Sequence, residues 1–226
     1  NILQHQLDKL DRDELREYLD QLAGLPVTYH LGPDYLAHLG GHEVIFLSPG
    51  VPKNLPAFQE AAAGGAVFSS ELAVFFAENR ERSRAPVIGI TGSCGKTTTT
   101  TMLGLMLEKE KPVRVGGNIG RPPLTFLPEL TPETWVVLEL SSFQLQDLGY
   151  SPQIAVLLNI TPNHLDVHSS FDEYVQAKEE IIKNQSGDDL AIFNWDNPVT
   201  RRLAANAKGK VYFFSRRLQP ETGAFV

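Results

Sequence analysis

Residues 87–101 read VIGITGSCGKTTTTT, an apolar run that breaks into a glycine loop and then into a lysine followed by threonines. Val87 to Ile90 is predicted as a buried strand, and Thr97 to Glu110 as the helix that follows it. Between them, Gly92-Ser93-Cys94-Gly95-Lys96-Thr97 has the form GxxGK[ST]. Successive N–H groups of such a loop can wrap phosphate oxygens, and the helix N-terminus adds partial positive charge. Lys96 would then reach the β- and γ-phosphates, while Thr97 offers a hydroxyl to Mg²⁺. Full P-loop spacing would put glycine at 90, where Ile90 stands, so this is the shorter variant. A glycine turn that merely contains a lysine is the plainer alternative. The strand and helix in register on either side favour a nucleoside triphosphate site. The run Thr97 to Thr101 is poor helix material because β-branching restricts the side chains, which suggests that hydroxyls at Thr97 and Thr98 are wanted for ligands.

Toward the C-terminus the alternation continues. Strands are predicted near Val113 to Val115, at Trp135 to Leu140, Ile154 to Ile160, Leu190 to Phe193 and Lys210 to Phe214, with helices over Phe171 to Asn184 and Pro198 to Ala207. Strands separated by helices imply βαβ units, a parallel sheet, and ligands at the carboxyl ends of its strands. Toward the N-terminus, Leu7 to Leu22 carries a helical period, and Val44 to Leu47 reads as a buried strand. The turn Ser48-Pro49-Gly50-Val51-Pro52 follows, then a helix from Leu55 to Ala63, a strand at Val67-Phe68 and a helix near Glu71 to Glu78. The charged stretch 79–84 is read as a domain boundary, giving domains 1–84 and 85–226; the solvated end of a helix is the alternative. The class is therefore α/β, with a Rossmann-like N-terminal domain before a parallel-sheet ATPase domain.

A length of 226 residues corresponds to about one and a half domains. The first residue is Asn1 and no capping helix is in view after the last predicted strand, so the sequence is expected to be truncated. A net charge of −7 without a basic cluster argues against a nucleic-acid partner. The single cysteine, Cys94, permits no internal disulfide and suits a reducing compartment, so a cytoplasmic location is expected. Apolar runs are far too short to cross a membrane.

Three further places could carry chemistry. Glu139 lies near the carboxyl end of the apolar strand VVLEL, where a carboxylate is costly to bury unless it is paired or metal-bound. It is a candidate Mg²⁺ ligand, unless the strand alternates and Glu139 faces solvent. Ser141, Ser142 and Gln144 beyond it could hold a substrate or cap a helix. Asn159, Thr161, Asn163, His164, Asp166 and His168 follow the next strand as a loose set of metal and phosphate donors. Finally, in SFDEYVQAKEEIIKN the Ser170-x-x-Glu173 capping box opens a helix whose apolar stripe is completed by Lys178. Burial there would favour a neutral, nucleophilic amine. A stem that snorkels to water is the alternative.

In order along the chain, GITGSCGKTT, GGNIGRPPL, LELSSFQL, LNITPNHLDVH with YVQAK, and IFNWDN resemble the Mur ligase family of ATP-dependent amide-forming enzymes. The likeness runs from about Val44 to Asn197. The SPG turn, GGNIG and LELSSFQL resemble the branch that joins D-glutamate to UDP-MurNAc-L-Ala in peptidoglycan precursor synthesis, through an acyl phosphate. The resemblance implies an N-terminal domain for the UDP part at 1–84, a central ATP-binding domain at 85–226, and an absent C-terminal domain for the amino acid, in a monomeric enzyme. It implies γ-phosphate and Mg²⁺ roles for Lys96 and Thr97, with Gly92, Ser93, Gly95 and Thr98 lining the nucleotide. Glu139 would hold one Mg²⁺ ion. His164 and Lys178, the latter as a CO₂-derived carbamate, would hold a second. Asn118, Gly120, Ser141 and Gln144 would face the substrate, Ser48 and Gly50 the uridine diphosphate, and Asn194 and Asn197 the adenine. Cys94 and Asn163 depart from the family pattern, which has asparagine and aspartate there. Another Mur-type ligase with a different amino acid, or a P-loop binding module without catalysis, are the alternatives.

Overall fold

Val87–Thr91 is buried at every position, as a strand must be when helices cover both faces of its sheet. In the computed structural model, which describes residues 20, 23–28, 30, 34–49, 51, 55–162 and 170–225, this strand is an interior strand of a seven-stranded sheet. The helix expected over 7–22 falls almost wholly outside the described residues.

The chain forms two compact units, Asn1–Ser69 and Ser70–Val226. In the first, β1 (Val44–Phe46), α1 (Pro56–Ala63) and β2 (Val67–Ser69) make one parallel βαβ unit. The expectation of a buried first strand is corrected: Ile45 is buried, but Val44 and Phe46 are 50% and 60% exposed.

The second unit opens with α2 (Glu71–Glu78), then β3 (Val87–Thr91), α3 (Lys96–Leu107), β4 (Val113–Gly117) and β5 (Trp135–Glu139). There follow a one-turn helix α4 (Ser142–Leu145), β6 (Ile154–Leu157), α5 (Phe171–Lys183), β7 (Leu190–Asn194), α6 (Pro198–Leu203), β8 (Lys210–Ser215) and β9 (Gly223–Phe225). Strand order is β4-β5-β3-β6-β7-β8-β9, with every pairing parallel. The chain therefore has a strand after β8, where none was expected, and α4 and a 3₁₀ segment at Pro123–Glu129 are likewise additions.

The division between units falls at Ser69/Ser70, ahead of the expected 84/85, because α2 belongs to the second core. Its Phe75 ring meets Phe126 edge-on at 5.9 Å, and Phe76 stacks on Tyr150 at 6.1 Å. Glu71 Oε1 accepts from the Leu124 N–H at 2.8 Å. The charged stretch is not a linker: Asn79–Ser83 forms a π-helical turn. Buried Asn79 closes it, donating to Ala85 O and accepting from Ala85 N–H.

The two faces of the sheet are covered unequally. One carries the larger core, where Tyr174, Val175, Ile181 and Ile182 of α5 pack with Leu138, Leu157 and Phe193. On the other, Leu103 and Leu107 of α3 cover Ile88, Ile90, Val137 and Val156.

Candidate nucleotide-binding site

The carboxyl ends of β3, β5 and β6 meet at the glycine loop. Gly95, the residue before α3, has φ +84°, a left-handed conformation that glycine adopts freely. It turns the chain so that α3 starts at Lys96 with its first N–H groups unpaired by helix geometry, the arrangement that binds anions. Lys96 Nζ donates back across the loop to Gly92 O at 3.1 Å.

Thr97 Oγ1 donates to Glu139 Oε2 at 2.7 Å, and Asn118 Nδ2 donates to Glu139 Oε1 at 3.0 Å. Glu139 is 2% exposed, which rules out the solvent-facing alternative. Both its oxygens thus accept from neutral donors, and a buried carboxylate so placed is a hard oxygen ligand suited to a divalent cation beside the loop. Asn118 is brought to it by the close approach of β4 to β5. Gly117, at φ +100°, lies so near Glu139 O that a Cβ would overlap it, and Asn118 N–H donates to the same carbonyl at 2.8 Å.

Lys178 is 1% exposed, so its stem does not snorkel to water. Nζ donates to Gly92 O at 3.1 Å and lies 3.4 Å from Thr91 Oγ1, with the Tyr174 ring centroid 4.7 Å away. Two lysines thereby converge on one carbonyl of the loop. Burial, and then the neighbouring Lys96 charge, push the Lys178 amine down to about 7, so near neutral pH a large share of it is unprotonated. A buried amine that is uncharged near neutral pH is a nucleophile. Tyr174, whose phenol burial raises above its ordinary pKa, exchanges a hydrogen bond with Ser93 Oγ at 3.1 Å.

The remaining candidates divide. Ser141 and Gln144 form a capping box for α4, the capping alternative raised by the sequence. Gly120 is exposed on the loop after β4, and Thr98 is exposed on α3. Asn194 Nδ2 donates to Leu158 O at 2.8 Å and Asn197 Nδ2 to Ile160 O at 3.2 Å, so both amides tie the end of β7 to the segment after β6. Ser48 is exposed in the first unit. Gly50, Asn163, His164, Asp166 and His168 lie outside the described residues. Among the described residues no three His, Cys, Asp or Glu side chains cluster as a metal site. Tyr174 and Thr91 were missed in the sequence because each reads as ordinary core.

Fold and loop together define an α/β nucleotide-binding protein with a P-loop-type phosphate site at the carboxyl edge of a parallel sheet. Residues 90–222 match the Mur ligase middle domain, and the chain belongs to that family. It is 46% identical over 222 residues to the UDP-N-acetylmuramoylalanine--D-glutamate ligase of Symbiobacterium thermophilum, covering 97% of this chain and 48% of that one. To the enzyme of the same name from Acetivibrio thermocellus it is 44% identical, over 97% of this chain and 46% of that one. The chain thus spans about half the length of these relatives. Among solved structures, MurF ligase from Thermotoga maritima in complex with ADP superposes with a TM-score of 0.54 at 24% identity, over 81% of this chain and 49% of that one. This likeness is one of fold. No described helix is long and apolar enough to cross a membrane.

Proposed function

We propose that this chain is the UDP-substrate-binding and ATP-binding portion of a ligase that joins D-glutamate to UDP-MurNAc-L-Ala in peptidoglycan precursor synthesis. The first unit, as a Rossmann-like domain, would hold the UDP part through Ser48 and Gly50, and the second would hold MgATP. The observation that carries the reading is the line from Lys96 through Thr97 to Glu139 and Asn118, set at the mouth of the glycine loop.

In this reading the N–H groups at the start of α3 and Lys96 hold the β- and γ-phosphates and offset charge on the transferring phosphoryl group. The substrate carboxylate attacks the γ-phosphorus, the bond to ADP breaks, and an acyl phosphate forms. The amine of D-glutamate then attacks the acyl carbon, loses a proton, and phosphate leaves. Two Mg²⁺ ions, when bound, would supply positive charge that offsets the charge of the phosphates. Thr97 and Glu139 would hold one, and His164 with Lys178 as a carbamate the other. Asn118 orients the Glu139 carboxylate, and with Gly120 it faces the substrate. Asn194 and Asn197 would lie beside the adenine, each held by its bond to a backbone carbonyl of the segment after β6.

The test is ADP release by the full-length protein. Release that requires both UDP-MurNAc-L-Ala and D-glutamate supports the reading. Turnover with a different amino acid would point to another Mur-type ligase, and nucleotide binding without amide formation to a binding module.

A further inference from the structure

Asn159 stands two residues beyond the end of β6 and touches the glycine loop with both its main chain and its side chain. Its carbonyl accepts the Ser93 N–H at 2.7 Å. Its carboxamide closes a reciprocal pair with the next residue: Cys94 N–H donates to Oδ1 at 3.0 Å, and Nδ2 donates to Cys94 O at 2.9 Å. Two residues further on, Ser93 Oγ donates to Thr161 O and accepts from Thr161 N–H, each at 3.0 Å. A primary amide has one acceptor and one donor edge in a single plane, so it can mimic one residue of a β-ladder. Segment 159–161 therefore acts as a short splint along residues 93–94. It occupies both peptide groups of Cys94, and Gly95 then turns the chain into α3, whose free N–H groups remain for an anion.

We propose that Asn159 is a positioning residue of the phosphate loop: its amide fixes the Cys94 peptide groups edge-on, so that the loop is already set for the β- and γ-phosphates of a nucleotide. This rests on the nucleotide reading above and adds to it a specific residue that meets the loop rather than the ligand. The Ser93 N–H bond to Asn159 O and the bonds of the Ser93 hydroxyl to the Thr161 main chain use no side-chain atom of residue 159, so substitution there removes the amide pair alone.

The experiment compares the unmutated full-length protein with its Asn159→Ala and Asn159→Asp variants. Binding of MgADP and MgATP is titrated, thermal unfolding is recorded without nucleotide, and KM and kcat are read in the amide-forming assay. Asn159→Ala is expected to weaken MgADP about tenfold, in keeping with two lost hydrogen bonds, with little change in the unfolding midpoint. KM for ATP should rise while kcat at saturating ATP stays within about twofold. Asn159→Asp keeps the shape and the acceptor but sets a carboxylate against Cys94 O, so it should bind worse than Asn159→Ala, with a penalty larger for ATP than for ADP. Unchanged binding by Asn159→Ala overturns the proposal, as does a parallel loss of stability, kcat and KM in both variants. If the unmutated chain fails to bind MgADP, the nucleotide reading itself falls and takes this inference with it.

Discussion

Replacing Lys178 with methionine should make the fold more stable, with a pH dependence whose sign is fixed by the site. The amine is 1% exposed, and its pKa falls from 10.5 to about 7 through burial and the Lys96 charge. Below about pH 7 both folded and unfolded chains carry the proton, and the full penalty of burying an ammonium is present. Between about 7 and 10.5 the unfolded chain binds a proton that the folded chain lacks, so stability attributable to Lys178 rises with pH. Above that window both states are neutral and the contribution is flat. A fall from 10.5 to about 7 corresponds to about 5 kcal/mol at about 1.4 kcal/mol per pH unit. The stability advantage of Lys178→Met over the unmutated chain is therefore largest at pH 6.5 and shrinks by up to that amount as pH rises toward 10.5. Denaturant unfolding of both chains across this range, in CO₂-free buffer without Mg²⁺, isolates the effect because all other groups cancel in the difference. A difference that stays constant with pH would refute the buried, readily neutralised amine.

Lys96→Ala should cut ATP turnover to below about 1% through loss of the charge facing the γ-phosphate, and should raise the Lys178 pKa toward its ordinary value, as read by NMR titration of the Lys178 side chain. Glu139→Gln keeps the side-chain shape but removes the charge and turns one of the two accepting atoms into a donor, so nucleotide binding should lose its Mg²⁺ dependence in calorimetric titrations with and without the metal. Gly117→Ala drives a methyl into Glu139 O at a left-handed backbone position; it should cost on the order of 3 kcal/mol in chemical denaturation.

Much of the second unit was legible in the sequence because its elements are punctuated by local chemistry. The glycine loop separates β3 from α3, and Ser170 caps α5 by accepting from the Glu173 N–H. The ends of elements were less legible. β6 stops at Leu157 rather than Ile160 because the residues beyond it leave the ladder to brace the glycine loop, a pairing between positions 65 to 68 residues apart. The unit boundary was misplaced for a similar reason: a charged stretch after α2 resembles a linker, while the burial of Phe75 and Phe76 against Phe126 and Tyr150 depends on residues far downstream.

The sequence by itself determined the βαβ alternation, the phosphate loop and the anomaly of a lysine in an apolar stripe, since each is encoded within a few residues by periodicity, glycine placement or capping. Only the tertiary structure decided that Ser141 and Gln144 cap a helix, that Glu139 is held by Thr97 and Asn118, and that Lys178 and Lys96 converge on Gly92 O. These outcomes depend on which strands lie side by side. In a parallel sheet, neighbours such as β3 and β5 are brought together by long crossovers that no local pattern specifies.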